Sequence, residues 1–271
     1  MKCVKIKEAQ KLEVSEIQEP ISDGKKVIFK VDACGICGSD IHYYMSGEPK
    51  GLVMGHEFAG TVIDPGDRDD LKIGDRVTGL PISPCGECEP CTTGNVQYCL
   101  NTWNEAVGLS LSNPGGYAVR SSCRSDMVGK IPDGVSSVEA AMVEPSAVSL
   151  HAINLANIKV GDKVLIIGGG IIGLMASEFA KLNGASYIAL METNPKRGEK
   201  ALKYGCVNEY FNSLEEGEYK NTGGTGLRNV WYDDKNNFYR YYTDFGNGLI
   251  FHSALYSEKN NKNSLNSDEY N

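Results

Sequence analysis

The sequence has no long hydrophobic run and no excess of basic residues, and both absences restrict what the protein can do. No stretch approaches the roughly 18 consecutive apolar residues that a membrane-spanning helix needs. The first eight residues, MKCVKIKE, also lack the apolar core of a secretory signal. A net charge of −8 and a pI near 5.1 argue against nucleic acid or an anionic membrane as the main partner. These features predict a cytoplasmic protein without a membrane or nucleic-acid partner.

Disulfide bonds are not expected either, although the chain contains nine cysteines. Thiols stay reduced in the cytosol, and several of these cysteines are clustered at the C-x2-C spacing typical of metal binding. The chain has 271 residues, of which 41% are hydrophobic. That is enough for one large or two ordinary domains with well-packed cores.

Residue types that bind zinc are concentrated between Cys37 and Glu57. Cys37 and His56, nineteen residues apart, supply a thiolate and an imidazole, the pair that zinc favours. Their separation is too long for a zinc finger and contains glycine-flanked turns, which suits a site formed where distant loops meet. Catalytic zinc sites usually have three protein ligands and leave one position for water or substrate. The stretch therefore predicts an open zinc site.

Two motifs in this stretch, Cys37–His42 (CGSDIH) and Gly55–Val62 (GHEFAGTV), resemble the zinc-dependent medium-chain alcohol and polyol dehydrogenases. The resemblance implies an α/β chain with a β-rich N-terminal domain, an irregular GroES-like β-barrel, followed by a Rossmann domain. Gly115–Ala118 (GGYA) also matches the family, but as a turn leading into a strand it predicts no chemistry.

Short alternating runs in this first part of the chain predict β-strands bounded by glycine or proline. They lie at Val4–Ile6, Val27–Val31, Gly60–Ile63, Arg76–Leu80 and Tyr117–Arg120. The first two are expected to pair as a hairpin across the turn at residues 22–25.

The resemblance also implies roles for four residues of these motifs. Cys37 and His56 would be zinc ligands. Ser39 would contact the substrate hydroxyl and take its proton, and His42 would pass the proton on towards solvent. The alternatives are a buried structural cysteine at Cys37 and ordinary turn residues at Ser39 and His42.

The third protein ligand of this zinc is left open between two glutamates. Glu57 directly follows His56, whereas Glu144 lies in a VEPS segment where the alcohol-dehydrogenase type carries a cysteine. Asp40 is expected to orient a ligand rather than to bind zinc itself, as carboxylates next to metal-bound histidines commonly do.

A second metal site is predicted from four cysteines with C-x2-C-x2-C-x7-C spacing, Cys85, Cys88, Cys91 and Cys99. Four thiolates on one short loop form a closed tetrahedral site, and such zinc is structural because no position is left for substrate. An iron–sulfur cluster uses four cysteines as well. The spacing matches the structural-zinc lobe of the family, placed here at residues 81–101.

A dinucleotide-binding unit is predicted from residue 151 onwards. The apolar run Val164–Ile167 has the character of a buried parallel strand and enters the motif Gly168–Gly173 (GGGIIG). The following helix is expected to bury four residues at helical spacing and to end at Asn183-Gly184. These residues are Ile172, Met175, Phe179 and Leu182. A second strand, Tyr187–Met191, ends in an acidic residue, and a further helix and third strand are predicted at 196–204 and 206–211.

The dinucleotide would be NAD held by the glycine turn and by that acidic residue. Gly168, Gly170, Ile171, Ile172 and Gly173 would form the pyrophosphate site at the helix N-terminus. Glu192, nineteen residues after Gly173, would bind the ribose hydroxyls and repel the 2′-phosphate of NADP. The basic residues Lys196 and Arg197 lie nearby, so NADP remains the alternative cofactor.

The family pattern stops near residue 219, so the predicted domains are 1–150 (zinc-binding), 151–219 (partial Rossmann) and an unrelated tail, 220–271. Residues 221–271 contain ten asparagines and six tyrosines. Segments 238–242 and 248–253 are similar to strands of L,D-transpeptidases, but no cysteine follows Cys206 to serve as the nucleophile.

Taken with the resemblance, these features predict an enzyme that transfers hydride between a secondary alcohol or polyol and NAD, with a homo-oligomer left open. The alternative is a zinc-containing remnant or hybrid chain whose incomplete nucleotide domain binds no cofactor.

Overall fold

The computed structural model describes residues 1–212 and the backbone of a strand at 249–252, and the chain divides into two compact units, Met1–Pro145 and Ser146–Asn271. The strands are β1 (Lys2–Glu8), β2 (Lys11–Glu16), β3 (Lys26–Cys34), β4 (Phe58–Asp64), β5 (Arg76–Gly79), β6 (Arg120–Arg124), β7 (Val128–Lys130), β8 (Lys163–Ile167), β9 (Tyr187–Met191), β10 (Glu209–Phe211) and β11 (Leu249–His252). The helices are α1 (Gly38–Ser46), α2 (Glu89–Thr92), α3 (Ser137–Ala141), α4 (Val143–Ala156), α5 (Ile171–Leu182) and α6 (Pro195–Tyr204). Within these ranges, every helix is too short or too polar to span a bilayer.

The first unit is built on an antiparallel sheet with the strand order β6-β3-β4-β5-β7. Its core lies on one face of the central strands, where the rings of Phe29 and Phe58 stack with centroids 4.8 Å apart. The predicted β-rich N-terminal domain is therefore confirmed. The sheet keeps two edges, β6 and β7, so within the described residues the expected barrel is not closed.

The predicted hairpin between the first two apolar runs is wrong. β1 pairs with β2 instead, through a two-residue turn in which Gln10 adopts a positive φ of 58°. β3, which contains the second run, pairs with β4 and β6. Glutamine is not among the residues that signal a left-handed turn, so a turn at this position cannot be predicted from residue type.

The strand predicted at 117–120 is also displaced, because β6 begins only at Arg120. The backbone of Tyr117 bonds to two separate segments, accepting a hydrogen bond from Val4 and donating one to Met54. Residues 117–119 thus connect β1 with the loop before β4 through hydrogen bonds. These long-range contacts cannot be predicted from the alternation of apolar residues in one segment.

The second unit contains a parallel sheet with the order β10-β9-β8-β11. This corresponds to strands 3-2-1-4 of a dinucleotide-binding fold. Apolar side chains of β8 are buried on both faces, Val164 and Ile166 on one and Leu165 and Ile167 on the other. The predicted strand–turn–helix–strand order, including α6 and β10, is confirmed.

Helix α5 buries a different face from the predicted one. Its buried residues are Gly173, Ala176, Ser177 and Ala180. Of the four predicted residues, Phe179 is partly buried and packs against the core, whereas Leu182 is 80% exposed. The small residues allow the helix to lie close to β8: a Cβ added to Gly173 would stand 1.8 Å from the carbonyl oxygen of Gly168. Close backbone approach, rather than large apolar side chains, determines which face points inwards.

Of the two tail segments that are similar to transpeptidase strands, 238–242 lies outside the described residues. Within 248–253, β11 runs parallel to β8, with Leu249 opposite Val164 and His252 opposite Ile167. The backbone of this tail strand therefore occupies the position of the fourth strand of a dinucleotide-binding sheet.

Candidate zinc and dinucleotide sites

Three of the predicted zinc ligands meet in the first unit. Cys37 is the N-cap residue of α1, and His56 and Glu57 directly precede β4. One donor atom from each of these side chains lies within 4.8 Å of the other two, and His56 and Glu57 are buried. The chain thus brings together a thiolate, an imidazole and a carboxylate from two segments, as an open zinc site requires.

Asp40 lies behind His56 and is 2% exposed. Its Oδ1 is 3.7 Å from Nδ1 of His56, and neither atom has a hydrogen-bond partner among the described residues. Its Oδ2 accepts a hydrogen bond of 2.9 Å from the backbone N–H of Cys37. With Nδ1 directed at this carboxylate, the other ring nitrogen of His56 is left for a metal.

The electrostatics of this cluster favour a bound cation. The contact with His56 lowers the pKa of Cys37 despite the opposing effect of burial. Burial would lower the pKa of His56, but its interactions with Cys37, Asp40 and Glu144 outweigh this effect and raise it. Burial raises the pKa of Glu57. A divalent cation would compensate the buried negative charge that these groups carry when ionised.

Glu144, the alternative third ligand, lies in the first turn of α4 and is half-buried. Burial raises its pKa, the interaction with His56 opposes this, and Glu57 raises it further. Its carboxylate is therefore near the cluster, but it does not belong to the group of donors that lie within 4.8 Å of one another. Glu57 is the better placed of the two glutamates.

The two residues of the predicted proton relay lie on α1. The Oγ of Ser39 is buried without a hydrogen-bond partner among the described residues, close enough to Cys37 to contribute to the lowering of its pKa. His42 is exposed and follows three residues later, which places it on the same face of the helix.

The four cysteines of the second site also converge. The sulfur atoms of Cys85, Cys88, Cys91 and Cys99 lie within 4.8 Å of one another. Backbone N–H groups point at them: that of Cys85 donates to the sulfur of Cys99 at 3.2 Å, and that of Cys88 to the sulfur of Cys85 at 3.4 Å. Such donors stabilise thiolates, so the loop is arranged for four ionised sulfurs around a cation.

Asn101 also contributes to this site, although no motif in the sequence indicates a role for it. Its side-chain amide donates to the sulfur of Cys85 at 3.5 Å, and this contact is the main reason that the pKa of Cys85 falls to about 6. By contrast, burial and the neighbouring sulfurs raise the pKa of Cys91 to about 12. Four sulfurs at this separation cannot all ionise without a positive charge among them.

The glycine turn of the second unit joins β8 to α5. Gly168 has a φ of 96°, in the left-handed region, and Gly170 is the N-cap of the helix. A Cβ added to Gly170 would meet nothing within 4 Å, so the backbone at the helix N-terminus is open to a ligand. Ile171 is 48% exposed and Ile172 half-buried at the start of the helix.

Glu192 is 4% exposed at the end of β9 and is bonded to the glycine turn. Its Oε2 accepts a 2.6 Å hydrogen bond from the backbone N–H of Gly169, and its Oε1 accepts one of 2.8 Å from that of Asn194. The carboxylate thus connects the carboxyl ends of β8 and β9. Arg197 is exposed on the first turn of α6.

Comparison with known proteins identifies the front of the chain. Residues 23–133 match the alcohol dehydrogenase GroES-like domain. The sequence is 36% identical to sorbitol dehydrogenase of Bombyx mori over 207 residues, which cover 74% of this chain and 59% of the relative. It is 34% identical to (R,R)-butanediol dehydrogenase of Bacillus subtilis over 223 residues, with coverages of 76% and 62%.

A solved structure with the same fold is that of a zinc-binding dehydrogenase from Sinorhizobium meliloti bound to NADP. It superposes with a TM-score of 0.73 at 32% identity, over 82% of this chain and 66% of that one. In sequence and fold, the chain is similar to zinc-dependent alcohol and polyol dehydrogenases over about three quarters of its length. It spans about three fifths of the length of the curated relatives that it matches.

Proposed function

We propose that this chain is a zinc-dependent oxidoreductase that transfers hydride between a secondary alcohol or polyol and NAD. The observation that carries the proposal is the convergence of Cys37, His56 and Glu57 in a buried cluster beside Ser39. Relatives named for sorbitol and butanediol support a substrate that carries hydroxyl groups on secondary carbons.

The residues of the cluster fit a zinc ion with an open position. Cys37 would bind through its thiolate, which the helix N-terminus stabilises, and Glu57 through its carboxylate. His56 would bind through Nε2, because its Nδ1 faces Asp40. When bound, zinc would lower the pKa of a coordinated substrate hydroxyl, and the oxidised dinucleotide would accept the hydride.

Ser39 and His42 supply the proton path in this proposal. The hydroxyl of Ser39 is available for a new partner, since it has none among the described residues. It would accept the substrate proton and release its own towards His42, which is exposed on the same helix face. Proton removal and hydride transfer together convert the alcohol to a carbonyl compound.

The dinucleotide would bind the second unit at the N-terminus of α5. Gly168, Gly170 and Gly173 allow its pyrophosphate to approach the helix N-terminus, flanked by Ile171 and Ile172. The carboxylate of Glu192 would accept hydrogen bonds from the ribose and disfavour the additional phosphate of NADP. Arg197 on α6 is the residue that would counter this preference, so NADH and NADPH affinities are to be compared directly.

Four further cysteines would hold a second, structural zinc. Its site is closed by Cys85, Cys88, Cys91 and Cys99 and leaves no position for substrate. This zinc provides an internal reference, because changes at the first site should leave it bound.

Replacing Cys37 with serine tests the proposal. The Cys37→Ser variant should lose turnover of secondary alcohols with NAD and retain one zinc per chain instead of two. Cys34→Ser is the matched control, since Cys34 lies three residues away and is outside the group of donors. Full activity in Cys37→Ser, or loss of zinc from the four-cysteine site only, would contradict the assignment.

A second candidate function is a zinc-binding protein that no longer binds cofactor. It is favoured by the second unit, whose described residues form four parallel strands, where complete folds of this type have about six. Zinc binding at both sites without any NADH binding would support this candidate.

A further inference from the structure

Tyr117 connects two chain segments next to the three-ligand cluster. Its hydroxyl lies 3.1 Å from Oδ2 of Asp40 and 3.1 Å from the carbonyl oxygen of Gly35. Both atoms are acceptors, so the single phenolic proton is shared between them. Burial, reinforced by the negative charge of Asp40, raises the pKa of Tyr117, and the hydroxyl therefore keeps its proton.

The first of these contacts reaches His56 and Cys37 through Asp40. The Asp40 carboxylate is almost completely buried and has two hydrogen-bond donors in the structure, the Tyr117 hydroxyl and the backbone N–H of Cys37. Its other oxygen faces Nδ1 of His56. Without the tyrosine hydroxyl, a buried carboxyl group would lose one of its two hydrogen-bond donors, and the orientation that it imposes on the imidazole would relax.

The second contact reaches Glu57 through Gly35. The backbone N–H of Gly35 donates a 2.7 Å hydrogen bond to the carbonyl oxygen of Glu57. The same glycine lies directly against the Glu57 side chain, where an added Cβ would stand 2.1 Å from Oε2. Through its hydrogen bond to Gly35, Tyr117 therefore positions the backbone that the Glu57 carboxylate contacts.

The ring of Tyr117 is itself held in place. A Cβ added to Gly55 would stand 2.8 Å from its Cδ1, so the residue before His56 packs closely against it. The backbone N–H of Tyr117 donates to the carbonyl oxygen of Met54 at 3.0 Å, and Val4 donates to its carbonyl oxygen at 2.8 Å. The hydroxyl is thus presented from a fixed ring rather than from a mobile side chain.

We propose that Tyr117 is a positioning residue for the metal site, orienting His56 through Asp40 and Glu57 through Gly35. The proposal deepens the proposed function and rests on zinc binding by Cys37, His56 and Glu57. It assigns a role to the GGYA motif, which the sequence alone left without chemistry.

The test is the rate of zinc release from the 271-residue chain to an excess of a chromogenic chelator. Tyr117→Phe removes the hydroxyl but keeps the ring, and Tyr43→Phe is the control, since Tyr43 is another partly buried tyrosine of the same unit. Cys37→Ser identifies which kinetic phase belongs to the three-ligand site. Partners of metal ligands typically change metal affinity about 10- to 100-fold, so we expect an approximately 10-fold faster release from that site in Tyr117→Phe.

Release from the four-cysteine site should be unchanged in Tyr117→Phe, and Tyr43→Phe should behave as the wild type in both phases. In cobalt-loaded protein, the visible absorption bands of the three-ligand site should shift in Tyr117→Phe only. Because the hydroxyl acts partly through Asp40, its removal should have a smaller effect in an Asp40→Asn background.

Three results would overturn the proposal. Equal release rates in Tyr117→Phe and Tyr43→Phe would show that the hydroxyl does not support the site. Faster release from both metal sites would indicate general loosening instead of positioning. A wild-type chain that binds one zinc, at the four cysteines, would remove the metal site and the proposed function together.

Discussion

Gly173 provides the most demanding test of the packing in the second unit, because the structure has no room for the methyl group of an alanine at this position. The added Cβ would lie 1.8 Å from the carbonyl oxygen of Gly168 and 3.4 Å from Cγ2 of Ile166. Ordinary contacts of this kind are near 3.4 Å or longer, so the start of α5 must move away from β8 by more than 1 Å. Overpacking of a tight core typically lowers the free energy of unfolding by about 1–3 kcal/mol. We expect a loss at the upper end of this range for Gly173→Ala, because the atom that the new methyl group meets belongs to the backbone.

Gly170→Ala is the matched control within the same turn. Its added Cβ would meet nothing within 4 Å, and its φ of −72° suits any residue, so we expect the unfolding free energy to change by about 1 kcal/mol or less. The same Cβ would project where the pyrophosphate approaches in the proposed binding mode, so NADH affinity should fall in this variant as well.

The assay combines urea unfolding, followed by circular dichroism, with NADH fluorescence titration of both variants. The expected pattern is loss of stability and binding in Gly173→Ala, and loss of binding alone in Gly170→Ala. Wild-type stability in Gly173→Ala would refute the close packing of α5 on β8. Wild-type NADH affinity in Gly170→Ala would refute the placement of the dinucleotide at this turn.

Two further predictions concern the zinc site and the tail. Gly35→Ala should displace the Glu57 carboxylate, because the added Cβ would lie 2.1 Å from its Oε2. Elemental analysis should then find one zinc per chain instead of two. If both zinc ions are retained, Glu57 is not needed as a ligand. Deletion of residues 213–271 removes β11 and its four-residue pairing with β8. About four hydrogen bonds at roughly 0.5–1.5 kcal/mol each would be lost, so the free energy of unfolding of the second unit should fall by about 2–6 kcal/mol. Unfolding at the same urea concentration as the full chain would contradict that pairing.

The parts of the fold that follow from the sequence are those in which one short segment contains the whole signal. The run from Val164 to Gly173 predicts strand, turn and helix together, because the apolar run, the glycines and the helical period are contiguous. The four cysteines are similarly local, and their spacing alone brings the sulfurs to one loop.

What the sequence did not predict depends on residues that are far apart along the chain. The pairing of β1 with β2 rests on a turn at Gln10 that has no composition signal, and the buried face of α5 is decided by the distance to β8 rather than by side-chain hydrophobicity. Tyr117 meets Asp40 across 77 residues, and no motif spacing encodes that contact. The preference for Glu57 over Glu144 as the proposed third ligand likewise rests on the distances between donor atoms.

The most direct test of the central claim is NADH titration of the purified 271-residue chain, with zinc counted in the same sample. We expect saturable enhancement of NADH fluorescence, two zinc ions per chain and weaker binding of NADPH. Two zinc ions without NADH binding would contradict the dehydrogenase function and favour a zinc-binding protein without cofactor. A single zinc would contradict the three-ligand site itself.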